Sequence, residues 1–122
     1  SIPSTIMYRV GENMIELIEI NINNPFNNDL ITIDYHNKKV TINNQSYNVK
    51  LGYLNYIIHT LTYWQNEYGT KKGIDIEEFT IKVYDSNKKI TTFHGKGVYP
   101  SNYQEFKTII KEPNYEWKRK IN

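Results

Sequence analysis

The chain of 122 residues carries three histidines and no cysteine, so any chemistry needing an imidazole must centre on His36, His59 or His94. An imidazole works as a base or a ligand only when acids, nucleophiles or further ligands converge on it. His36 lies two residues after Asp34 in a predicted hairpin turn, which is the place of a solvated side chain. His59 follows Ile58 on a predicted helix and points toward its edge. His94 ends a predicted strand beside Gly95 and is the best placed of the three for a pocket, although no acid or nucleophile stands near it in sequence. There is no H-x-x-x-H or H-x-x-E-H spacing, which excludes a zinc protease by motif. The lack of cysteine excludes a disulfide framework, thiolate-bound zinc, iron–sulfur clusters and thiol catalysis. No metal and no cofactor is expected.

The carboxylates are scattered: Glu12, Glu16 and Glu19 along the first long strand, Glu77 and Glu78 at the opening of another, Asp85 in a turn. Two-metal nucleases and glycosidases need acids that converge from different elements, and no recognisable acid motif announces such a site. Glu116-Trp117-Lys118 has the E-x-K spacing of a nuclease core but falls after Pro113, in a tail without a preceding acidic partner. Gly95-Lys96-Gly97 could let backbone N–H groups approach an anion. The Walker spacing and its Ser or Thr are missing, so strand termination is the expected role of these glycines.

Aromatic residues are the most unusual feature, at 14% of the chain with 11 Tyr. If Leu54, Ile57, Ile58 and Leu61 form the buried stripe of a helix, then Tyr56 and Tyr63, seven residues apart, share its flank. Exposed Tyr and Trp are typical of protein interfaces, where a large rigid side chain contributes area at low entropic cost. The expected contacts with a protein partner are therefore Tyr56, Tyr63, Tyr99, Tyr115 and Trp117. A nucleic-acid partner would instead use Lys71, Lys72, Lys96, Lys118, Arg119 and Lys120. The formal net charge of +2 argues against strong electrostatic steering to nucleic acid.

The elements that would position these residues can be read from periodicity. Ile18, Ile20 and Ile22 alternate with polar residues, after a slip near Glu16 that suggests a bulge. Asn23 to Asn28 is turn chemistry, and Pro25 is expected to end the ladder. Ile31, Ile33 and Tyr35, then Val40 and Ile42, then Tyr47 and Val49 continue a meander joined by Asn-rich links. The period changes at Leu54, Ile57, Ile58, Leu61, Trp64 and Tyr68, predicting a helix over 53–68 that stops at Gly69. A hairpin follows, from Phe79, Ile81 and Val83 through Asp85–Lys88 to Ile90–His94. Ser101 with Gln104 predicts a capping box that opens a short helix over 102–111, before Pro113.

The order β-β-β-(β)-α-β-β-α predicts an α+β fold, an antiparallel sheet of five to six strands with two helices packed on one face. Length supports one domain, placed over 7–112, with residues 1–6 as a disordered leader and 113–122 as a basic, aromatic tail. No run of 18 apolar residues occurs, and the expected location is cytoplasmic. Ile, Asn, Lys and Tyr abound while Ala is absent and Arg occurs twice, the bias of an AT-rich coding genome such as that of a low-GC bacterium or its mobile elements. The functional expectation is a non-enzymatic protein that binds another protein, in the manner of small inhibitors, immunity proteins or anti-defence proteins. The alternatives are nucleic-acid binding and an enzyme with a pocket near His94.

Overall fold

Alternation of isoleucine with polar residues dictates strands here, because successive side chains of a strand face opposite ways and one face can then be dry. The computed structural model describes residues 9–10 and 13–114. In chain order they form β1 (Arg9–Val10), β2 (Asn13–Asn24), β3 (Asn27–Asp34), β4 (Lys39–Ile42), β5 (Gln45–Asn48), α1 (Leu51–Thr62), β6 (Glu67–Thr70), β7 (Glu78–Asp85), β8 (Ile90–Lys96) and α2 (Tyr103–Ile110). Seven of the strands make one sheet in the order β5-β4-β3-β2-β7-β8-β6, and β1 pairs with β2 off that path. The class is α+β as expected, with more strands than expected and one parallel pairing, β6 with β8.

Ile18, Ile20, Ile22, Ile31, Ile33, Val40, Phe79, Ile81, Val83 and Phe93 are buried and alternate with outward-facing residues along their strands. They share one core cluster with Leu54, Ile57, Ile58 and Leu61 of α1 and Tyr103, Phe106 and Ile110 of α2. The slip near Glu16 is a bulge on β2, between Ile15 and Leu17 in its pairing with β7. Buried tyrosines pin the helices by hydrogen bonds that satisfy their hydroxyls. Tyr35 donates to the Leu54 carbonyl at 3.0 Å and Tyr53 to the Ile110 carbonyl at 2.6 Å.

Turn chemistry sets the registers. Asn43 and Asn44 both have positive φ, 47° and 74°, the two-residue geometry whose twist matches a hairpin, and they join Ile42 to Gln45. Pro25 does not shorten the β2–β3 ladder. Asn24 pairs with Asn27, so Pro25 and Phe26 are themselves the two-residue turn, where a missing N–H costs no ladder bond. The Asn24 side chain accepts the N–H groups of Phe26 and Asn27, each at 2.9 Å.

Two helix boundaries differ from expectation. α1 ends at Thr62 rather than running to residue 68. Trp64 is still buried, its ring 4.8 Å from Phe106 and 5.7 Å from Phe79, so its place in the apolar spacing reflects core packing after the helix has stopped. Tyr68 and Gly69 belong to β6, where Gly69 adopts φ 104° within the irregular pairing to β8. The predicted capping box does not form at α2. Asn102 occupies the N-cap position without a side-chain cap, and its Oδ1 accepts the Trp64 indole N–H at 2.8 Å. Gly95 lies inside β8 instead of ending it; a Cβ there would collide with the Val98 carbonyl and the Phe79 ring.

Candidate functional site

Chain order alone would put β6 next to β7, yet β8 inserts between them. The link from β6 to β7 therefore wraps around the end of β8. It is sealed by Lys71 N–H to the Lys96 carbonyl, 2.7 Å, and Gly97 N–H to the Glu77 carbonyl, 3.3 Å. This wrapping gathers three groups of side chains at one end and one edge of the sheet.

The first group centres on Glu77, at the entry to β7. Its carboxylate accepts the Tyr103 hydroxyl at 2.5 Å, the Lys107 ammonium at 2.8 Å and the Asn24 amide at 3.0 Å. Burial alone would raise its pKa, but these hydrogen bonds, with Lys107 the largest, hold it below the usual carboxylate range. Tyr99 stacks flat on Tyr103, centroids 4.6 Å apart, and donates to the Glu77 carbonyl at 2.8 Å. Nearby Asp29 is buried and holds Lys111 at 2.5 Å, with amides from Asn43 and Asn27. Burial would raise it too, and its donors reverse that, with Lys111 foremost. Two lysines of the α2 region thus moor it to two acids of the sheet.

The second group centres on His94. Its parity in β8 is opposite to that of Phe93 and Gly95, so it faces away from the core. Nδ1 lies 2.7 Å from Glu67 of β6 and Nε2 lies 2.7 Å from Glu78 of β7. Hydrogen bonding to Glu78, then to Glu67, raises the imidazole pKa above its ordinary value. The same contact with His94 is the main reason that the Glu67 carboxyl is lowered. Acids do meet this imidazole, on the open face of the sheet rather than in a deep cavity. Both ring nitrogens are engaged by carboxylates of neighbouring strands. Among the described residues, no three His, Cys, Asp or Glu side chains converge in a way that could hold a metal ion.

The third group is apolar and exposed. Phe26, at the tip of the β2–β3 turn, is 90% exposed, and Ile74, on the link into β7, is 88% exposed. The two loops are neighbours, because Asn23 pairs with Glu78 and the side chain of Asn24 reaches Glu77. Pro25 and Ile76 line one open groove of about 290 Å³ with Asn23, Asn24, Glu78 and Lys96.

The residues expected from sequence are dispersed by this fold. Tyr56 is half-buried, stacks on Phe106 at 6.3 Å, and has its hydroxyl pKa pushed up to about 12, chiefly by burial. Tyr99 is half-buried in the Glu77 cluster, and Tyr63 is 77% exposed, with His59 edge-on at 5.2 Å. Lys71 and Lys96 are brought side by side, with exposed Lys72 next to them. Tyr115, Trp117, Lys118, Arg119 and Lys120 lie outside the described residues, as do residues 1–6.

Sequence reasoning missed Phe26, Ile74, Glu67 and Glu78. Phe26 had a signal, a bulky aromatic set among asparagines in a turn. Glu78 was reachable from the Asp85–Lys88 turn, whose register sets Thr80 opposite His94 and Glu78 two residues along. Glu67 had none, since β6 carries no strand pattern. No described helix is long and apolar enough to cross a membrane. Compared with known proteins, the chain matches no family model, no curated protein and no solved structure.

Proposed function

We propose that this chain is a non-enzymatic binding protein that docks a protein partner through the end of the sheet carrying Phe26 and Ile74. The observation that supports this most is their exposure, 90% and 88%, on two loops joined by the hydrogen bond from the Asn24 amide to the Glu77 carboxylate. Isolated exposed apolar residues are ordinary, but two of them nearly free of their own fold, on loops tied together by a hydrogen bond, match the anchor residues of an interface. Tyr63 supplies a further contact at the end of α1. Tyr56 and Tyr99 act behind the surface, filling space against Phe106 and Tyr103. The arrangement suits a small inhibitor or immunity-type protein, which needs a rigid frame and a few protruding anchors rather than a cavity. The doubly engaged His94 favours this reading over an enzyme centred on that imidazole.

Affinity capture from a cell lysate, read by mass spectrometry, tests the proposal with Phe26→Ser/Ile74→Ser as the comparison. Both positions are exposed, so thermal stability should stay unchanged while the specific partner is lost. Equal capture by wild type and the double variant refutes the docking surface. A second reading, nucleic-acid binding, draws on the adjacency of Lys71 and Lys96 beside Lys72. It requires retention on DNA or RNA that falls steeply with added salt, whereas an apolar protein contact holds.

A further inference from the structure

We infer that His94 is a pH-operated clasp that holds the edge strand β6 on the sheet when protonated and frees it when neutral. The inference is independent of the docking surface. β6 is tied to β8 by few bonds: the pairs Glu67 with His94 and Thr70 with Lys96, separated by an irregularity, and backbone hydrogen bonds from His94 N–H to the Asn66 carbonyl, 2.9 Å, and from Lys71 N–H to the Lys96 carbonyl, 2.7 Å. The Asn66 side chain adds a bond to the Thr92 carbonyl at 3.0 Å. A short, irregular edge strand with exposed bonds belongs to the low-stability end of a structure. Tyr68 anchors the strand on Trp64 and Phe79, and one side-chain contact on the opposite, open face can then decide whether the rest of it stays closed.

That contact depends on charge. A protonated imidazole donates from both nitrogens, satisfying Glu67 and Glu78 together at 2.7 Å each. A neutral imidazole has one donor, so at the other nitrogen a lone pair would face a carboxylate oxygen at the same distance, and one contact must open. Glu67 is the one to leave, because its side chain is 61% exposed against 40% for Glu78 and reaches water more readily. Glu67 Oε2 also accepts the Gly69 N–H at 2.8 Å, within the irregular stretch where Gly69 has φ 104°. Losing Glu67 therefore loosens β6 at two points.

The charged groups on the face of His94 are Glu67 from β6, Glu78 and the more distant Lys82 from β7, and Lys96 two residues along β8, while Lys71 follows just past β6. Partial burial disfavours the imidazolium, and the two direct carboxylate contacts outweigh it, in keeping with the raised pKa. The direction of the coupling follows. Closure is fully present below the ordinary histidine value of 6.5 and is lost as pH rises through the raised value.

Amide hydrogen exchange by NMR, corrected for intrinsic rates, tests this on the full chain. The reporters are the His94 and Lys71 amides, which bond across the β6–β8 boundary, with the Ile20 amide of the central strand as reference. Between pH about 5 and about 8.5, the protection of both reporters should fall roughly tenfold relative to Ile20, with a midpoint that matches the His94 ring titration. His94→Gln and Glu67→Gln should each remove that dependence. Unchanged protection in the wild type, or the same fall in His94→Gln, overturns the inference; Glu67→Gln gives an independent reading if His94→Gln perturbs the strand.

Discussion

Glu77, just before β7, and His94, on β8, both bind oppositely charged partners from separate elements, yet burial gives them different work. The Glu77 carboxylate is 18% exposed, and Lys107, which it holds, is 19% exposed. Its three side-chain donors come from β2 and α2, so it is a fixed mooring that neutral pH does not touch. His94 is similarly screened at 22%, but one of its acids is 61% exposed and its own pKa is raised from the ordinary histidine value of 6.5. The difference teaches that an ion pair becomes structural when every partner is enclosed and no member titrates near neutrality. It becomes responsive when one partner has water as an alternative.

The largest expected effect tests the mooring. Glu77→Ala leaves a tyrosine hydroxyl, an ammonium and an amide without their acceptor, and should cost about 2–4 kcal/mol in urea unfolding. A loss below about 0.5 kcal/mol would erase the distinction between the two clusters. Acid should expose the same contrast. Asp29 and Glu77 have folded-state pKa values below their ordinary 3.8 and 4.5, so their contribution is complete above those values and is lost as pH falls through the lower, folded ones. Stability measured from pH about 5 downward should drop, and Glu77→Gln should make that drop shallower. Next in size, Tyr103→Phe removes one charge-assisted donor while keeping the ring stacked on Tyr99, and should cost about 1–2 kcal/mol. The smallest effect belongs to the edge: His94→Gln should change global stability by less than about 1 kcal/mol even at pH about 5, since its acids are partly exposed and Tyr68 still packs β6 on Phe79. If it destabilised the protein as much as Glu77→Ala, the edge would be part of the cooperative fold rather than a separate switch.

Much of the frame was legible. The isoleucine alternation located β2, β3, β7 and β8, the slip at Glu16 located the bulge, and Asn43-Asn44 located a tight hairpin, because each is decided by a residue and its immediate neighbours. The apolar spacing of α1 was read correctly as a buried stripe and wrongly as continuous helix. Trp64 and Tyr68 fit a helical period by coincidence of spacing, while contacts to Phe79, distant in sequence, decide where they pack. The candidate site was less legible. A tyrosine count cannot say which rings protrude, and the fold buries Tyr35, Tyr53 and Tyr103 while leaving Tyr63 outside.

Local pattern was thus sufficient for the α+β class, the apolar face of each long strand and the two helical stripes, since period two and period 3.6 are properties of a segment by itself. Only the tertiary structure could set β8 between β6 and β7, bring Glu67 and Glu78 to the two nitrogens of His94, and tie the loop that carries Phe26 to the one that carries Ile74. Those outcomes depend on pairing across tens of residues. β6 in particular carries no alternation of its own and owes its place to the free backbone groups along the edge of β8.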